Sequence, residues 1–385
     1  MKRIFVATVI AVLSVMGVGF FSLTASAQEE SHIITFQAPG ADTTPGSFDG
    51  TFADSINNAR AITGYYLDAN NVFYGFLRSR EGKFTTFQAP GADTTPGSFS
   101  GTNPTSINDL GAITGYYLDA NGVNHGFLRN PKGEFTTFDV SGAGGYGSFP
   151  IFISREGAIV GYYTNSIFNF QAFLRHPDGT FKTFVGPGAC DTGTSTGCYG
   201  NEATNINLSG TSVGNYMDNS VNLVGHGLIR RADGTLISFE APGAGNGQNQ
   251  GTGCPGCSAG LNQWGAIAAT YTDANTVHHG FLRSPKGEFT TFDAPGAGTG
   301  FEQGTGCFSD CPVSLNDWGA TTGIYIDANY EYHGYVRSPE GKFTTVDPAG
   351  STGTLPFGIN DSGAITGYYI DANNVYHGFL RIPDE

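Results

Sequence analysis

Positive charge is scarce in this chain. Of 385 residues only 18 are Lys or Arg, against 33 Asp or Glu, for a formal net charge of −15. A surface this acidic repels nucleic-acid phosphates and anionic lipid. Charged residues of both signs make up only 13% of the chain, but 30 Phe and 18 Tyr are present. That much aromatic surface excludes a disordered acidic polymer. Long apolar runs are also few. The one stretch near membrane-spanning length is 4–23, behind Lys2-Arg3 and ahead of Ala25-Ser26-Ala27. This is the three-part layout of a secretory signal, with an uncleaved anchor as the alternative. Cleavage after Ala27 is expected, leaving 28–385 as one domain outside the membrane. No cysteine adjoins the cut, so lipid anchoring is not indicated. What fills the chain instead is Gly, 58 residues of it, which implies many turns.

The segment QAPGADTTPGSF occurs at 37–48 and again at 88–99. It belongs to a repeat that runs through the chain. GFLR stands at 75–78, 126–129, 280–283 and 378–381, with AFLR at 172–175, GLIR at 227–230 and GYVR at 334–337. The seven copies are spaced by 51, 46, 55, 53, 54 and 44 residues. Around the second copy, four short runs rich in Ile, Phe, Tyr and Thr predict strands A at 106–108, B at 112–118, C at 123–129 and D at 134–139. Between C and D, Asn130-Pro131-Lys132-Gly133 suits a tight hairpin turn.

Repeats of about this length with four antiparallel strands predict an all-β fold, a seven-bladed β-propeller. The last copy stops after strand C, while 33–36 reads as a strand D that no strand C precedes. The N-terminal strand is therefore expected to complete the last blade and close the ring, leaving no exposed edges. A β-solenoid is the alternative, although its repeats are normally shorter.

Nearly all length variation falls between strand D and the next strand A. With strands alternating in direction, these loops share one face with the B-to-C turns. That face carries Asp68, Asp119, Asp218, Asp273, Asp327 and Asp371, and it is the candidate binding face because variable loops on rigid scaffolds carry function. The Asp-Ala-Asn turns resemble fragments of Ca²⁺ loops but lack the further carboxylates and terminal Glu. They read first as Asx turns, with Ca²⁺ the one cofactor left open. The six cysteines, Cys190 and Cys198, Cys254 and Cys257, Cys307 and Cys311, also fall to these loops, two by two. In a secreted chain this favours three local disulfides over a zinc site built on Cys254 and Cys257.

His125, His226, His279, His333 and His377 precede the core of strand C, each with one of those Asp residues six or eight positions upstream. The third repeat lacks both partners, with Asn165 and Gln171 instead, so the two side chains are expected to touch across the hairpin. One reading is a general-base dyad. Repetition in five units favours a structural bond that satisfies a half-buried imidazole. The paired tyrosines of strand B (Tyr65-Tyr66, Tyr116-Tyr117, Tyr162-Tyr163, Tyr368-Tyr369) point to opposite faces and suit packing or glycan stacking.

Ile-Asn, Gly, Ile-Thr-Gly-Tyr-Tyr and His-Gly-Phe-Leu-Arg, in that order, resemble the HAF-type extracellular repeat of bacteria. Gly stands here for the family's Ala in most copies, and only Ala172-Phe173-Leu174 keeps it. The resemblance covers 28–385 and implies secretion and a propeller-like fold, but no activity. Two functions follow as expectations. The first is a monomeric binding or scaffold propeller that engages an extracellular glycan or protein. The second is a lyase or hydrolase acting at the central channel. The scarcity of non-repeated polar candidates, chiefly His176 and His278, favours binding.

Overall fold

The computed structural model describes residues 32–383 except 167, 190–200, 255, 308 and 310–311. Among the described residues every regular element is a β-strand. In the second unit, strands A to D are Gly101–Ile107, Ile113–Leu118, Asn124–Arg129 and Phe135–Phe138, each antiparallel to the next. The same four-strand pattern recurs along the chain. Two units stand as separate four-stranded sheets, and the others join into sheets of eight and fourteen strands. The joins are single parallel bridges, such as Phe73 to Gly101 and His278 to Gly304.

Strand A is longer than its sequence indicates, beginning at Gly101 rather than Ser106. Its start is pinned by the Thr102 hydroxyl, which accepts from the Ala89 N–H at 2.8 Å. A bulge at Thr105, between Pro104 and Ser106, breaks the alternation that marks a strand in sequence.

The cysteines correct the loop assignment. Cys254 and Cys257 interrupt strand A of the fifth unit, between Gly251–Thr252 and Gly260–Leu261. Cys307 interrupts the sixth, between Gly304–Thr305 and Val313–Leu315. All three are buried and pack with Ile324 and Ile326, with Leu355 against the cluster. The two ends of each strand keep their places in the sheet. These three cysteines are therefore buried within the run of strand A rather than exposed on the loop face. Cys254 and Cys257 are bonded to each other and Cys307 is also in a disulfide. Cys190, Cys198 and Cys311 lie outside the described residues.

Apolar residues are buried between consecutive units. Val160, Ala172 and Leu174 of the third unit pack on Ala203 and Ile206 of the fourth. The first unit's Ala53, Ile56, Ile62 and Phe76 pack on Ala364 and Leu380 of the last. A strand C arginine spans the same interface, as where the Arg129 guanidinium lies 4.8 Å over the Phe87 ring. Strand C also explains the Gly of GFLR. A Cβ on Gly280 would run into the Phe292 ring of strand D, and the same ring covers Gly75, Gly126 and Gly378 through Phe87, Phe138 and Phe36.

The first strands touch in sequence order, and Thr51–Ile56 also touches Ser351–Ile359 of the last unit. The Asn57 side chain donates to the Asn108 carbonyl at 3.0 Å, and Asn108 to that of Ser154 at 2.9 Å. Asn316 donates to Asn360 at 3.1 Å, and Asn360 to Asn57 at 3.0 Å. The N-terminal strand His32–Phe36 lies antiparallel on Tyr376–Ile382, with Thr35 opposite Phe379.

Candidate functional site

Antiparallel pairing puts the D-to-A loops and B-to-C turns at one end of the units, where they interlock. The Gly97 N–H donates to the Asn70 carbonyl at 2.6 Å, and that of Gly46 to the Asn373 carbonyl at 2.7 Å. Each turn aspartate is spent on its own turn. Asp119 Oδ1 accepts from the N–H groups of Asn121 and Val123 at 2.9 Å each, and Oδ2 from the Asn121 amide at 2.9 Å. The backbone bond from Val123 is the first cause that holds this carboxyl down at about 2. Asp68, Asp273, Asp327 and Asp371 make the same pair of backbone bonds. Asp218 does so with Ser220 and Val224. These are Asx turns.

The five repeated histidines lie beside those turns. Nε2 is 3.5 Å from the aspartate in His125 and His226, 3.7 Å in His279, 3.9 Å in His333 and 3.2 Å in His377. Sequence reasoning missed the second partner. Nδ1 meets a residue one or two places past strand D: Asp139 at 3.0 Å, Glu240, Asp293 at 2.8 Å, Asp347 at 2.8 Å and, for His377, Gln37 at 2.9 Å. Each ring also stacks on the second Tyr position of strand B, as His279 on Tyr271 at 4.9 Å. Where the His is absent, Tyr74 stacks on Tyr66 at 5.3 Å, and Gln171 accepts from the Tyr163 hydroxyl at 2.5 Å. The hydrogen bond to Glu240 raises the His226 imidazole above its ordinary range, and that to Asp293 does the same for His279. His278 is different. It is buried, its Nδ1 lies 3.0 Å from the Thr272 hydroxyl, and desolvation lowers it to about 4.

Asp327, Glu331 and His333 bring three ligand atoms within 4.8 Å of one another. One nitrogen and two carboxylates fall short of the six to eight oxygens that Ca²⁺ takes.

The loop face also carries exposed aromatic rings that the sequence reading passed over. Phe48, Phe99 and Phe301 on the D-to-A loops are 60%, 58% and 62% exposed. Tyr146 meets Phe168 edge-on at 5.1 Å, and the Tyr330 hydroxyl donates to the Phe301 carbonyl at 3.1 Å. Phe48 and Phe99 hold φ at 58° and 52°, a left-handed backbone unusual for a bulky residue.

A cavity of about 930 Å³ lies inside, walled by the first strands of the repeated units. At the end opposite the loop face it is rimmed by Asn58, Asp109, Arg155, Leu208, Gln263, Asp317 and Asp361. Here the Asp361 N–H donates to Asn58 and that of Gln263 to Asp317. Trp264 and Trp318, each 71% exposed, stand just outside this rim. The wall also contains Asp54 and Glu202, acidic residues that the repeat does not reproduce. Their only signal in sequence is that lack of repetition.

No family model matches this sequence, and no curated protein is similar to it. Its fold is similar to solved structures. A puromycin hydrolase, as the S511A mutant complexed with PGG, has a TM-score of 0.55 at 11% identity. That match covers 87% of this chain and 52% of the hydrolase, so the chain spans about half of that protein. The BP39L lectin from Burkholderia pseudomallei has a TM-score of 0.52 at 9% identity, covering 85% of this chain and 95% of the lectin. A fungal lectin described as a six-bladed β-propeller aligns at a TM-score of 0.43 and 13% identity, over 84% of this chain and 99% of its own. The fold is an all-β repeat fold, similar to those of the hydrolase and the BP39L lectin.

Proposed function

We propose that this chain is a secreted, seven-bladed β-propeller of the HAF-type repeat kind that binds an extracellular glycan through its loop face. Secretion rests on the leader at 1–27. The blade count rests on the seven four-stranded units. Closure rests on the N-terminal strand paired to the last unit and on the Asn360 bond to Asn57.

The observation that carries the binding reading is the set of exposed rings on the loops. Exposing Phe48 and Phe99 forgoes burial of a large apolar surface, and their left-handed backbone adds strain. The loop accounts for the backbone, since Asn249 and Glu302 hold the same left-handed conformation at the corresponding places, but it does not account for an exposed phenyl ring there. Flat rings on interlocked loops suit stacking against the apolar face of a sugar. The acidic turns, by contrast, have their oxygens committed internally and serve as the frame. Binding therefore moves from Asp68, Asp119, Asp218, Asp273, Asp327 and Asp371 to the aromatic residues above them.

A glycan array tests this. The full chain is expected to capture a restricted set of glycans, and the F48S/F99S double variant to lose them while melting unchanged. Silence of the parent chain, or equal capture by the variant, overturns the glycan reading. Turnover of a captured glycan would move the protein to the enzyme class.

A further inference from the structure

We infer that the central cavity binds a compact organic ammonium ion, seated between the Asp54 carboxylate and a wall of tyrosine rings. This does not rest on the loop-face reading.

Asp54 is the bulge residue of its strand, between Ala53 and Ser55. The corresponding bulges carry Thr105, Ile151, Thr204 and Phe357. None of these is acidic, so the architecture does not require a carboxylate there. Where Thr takes the place, it donates to backbone carbonyls, Thr105 to Pro150 at 3.0 Å and Thr204 to Ala259 at 3.4 Å. A bulge re-aims its side chain, and Asp54 lines the cavity. Among the described residues no hydrogen bond or ion pair reaches its oxygens. Protein surrounds it closely enough that desolvation pushes its carboxyl well above the ordinary range. A cation bound beside it supplies the counter-charge that favours the ionised carboxylate.

The rings around it are concentrated on the same side. Tyr65, Tyr116, Tyr368, Tyr376 and Phe357 all line the cavity. Burial, then the charge of Asp54, and then Tyr368, Tyr116 and Tyr376 push the Tyr65 hydroxyl well up, which sets these groups within electrostatic reach of one another. Phe52 ties them together from behind, with ring centroids 4.8 Å from Tyr65, 5.0 Å from Tyr368 and 4.6 Å from Tyr376. On the opposite side the strand B positions of Tyr65 hold Asn215, Thr270 and Ile324, and the buried cysteines lie nearby. The cavity is thus two-sided although the repeat around it is regular.

One carboxylate and several rings match one ligand chemistry. A metal cation calls for several oxygen ligands, and this side offers one carboxylate. A substituted ammonium ion takes a single counter-charge and the negative faces of aromatic rings. The net charge of −15 raises the local concentration of cations around the whole molecule.

The test is calorimetric titration of the full chain with tetramethylammonium chloride and with choline chloride, against sodium chloride at equal ionic strength. Saturable binding is expected for both organic cations. Asp54→Thr, the residue that two sister units carry, is expected to weaken it about tenfold or more without lowering the melting temperature. Asp54→Asn, which keeps the shape, is expected to do the same. F48S/F99S leaves this binding unchanged, which separates its failure from failure of the glycan reading. Heats equal to those of sodium chloride, or equal affinity in parent and Asp54 variants, overturn the proposal.

Discussion

The Nδ1 atom of His279 lies 2.8 Å from an Asp293 carboxylate oxygen while its Nε2 faces Asp273 at 3.7 Å. One imidazole therefore links three segments: the B-to-C turn, strand C and the exit of strand D. A bond repeated around the units in this form is a brace. A general base needs a free lone pair for substrate, and both nitrogens here face carboxylates.

Its proton behaviour follows. His226 and His279 have folded pKa values raised above the unfolded value of 6.5. Their contribution to stability is full below pH 6.5 and is lost as pH rises through the folded values. His278, lowered to about 4, acts in the opposite sense. It costs stability as pH falls from 6.5 towards 4, because the unfolded chain takes the proton first. Histidine titration by NMR is expected to find His226 and His279 protonated above pH 6.5, with His278 neutral down to about pH 4.

Gly280→Ala tests the contact between strands C and D. The added methyl meets the Phe292 ring, and overpacking of this kind costs about 1–3 kcal/mol. Denaturant unfolding is expected to register that loss. At the matching position of the third unit, Ala172→Gly is expected to cost less, since that unit already accommodates the methyl beside Phe184.

Peptide mapping without reductant is expected to return Cys254 bonded to Cys257 and Cys307 bonded to Cys311. Free thiols or cross-pairing between the two units would reject the local arrangement. Because Cys254, Cys257 and Cys307 pack with Ile324 and Ile326, reduction is expected to lower the melting temperature rather than only loosen a surface loop.

Strands B, C and D were legible because each is short, rich in β-branched and aromatic residues, and bounded by Gly or Asp-Ala-Asn turns. Strand A was not. Its first half reads as the end of a Gly-rich loop, and the bulge at Thr105 or Asp54 destroys its alternation. The Asp–His contacts could be anticipated because both residues change together in the third repeat. Asp139 and Asp293 escaped notice because they leave strand D at the mouth of a variable loop. Asp54 escaped for the opposite reason. Reading for repetition favours what recurs, and this residue departs from a pattern whose other members are Thr, Ile or Phe.

The most direct measurement is thermal unfolding of a chain lacking residues 28–40. In the closed arrangement this deletion removes His32–Phe36 from the last unit, exposes the edge of Tyr376–Ile382 and uncovers the interface around Ala364 and Leu380. A melting temperature lower by about 10 °C or more is expected, with partial rescue when the missing strand is added back as a peptide. Unchanged melting would contradict the closed arrangement.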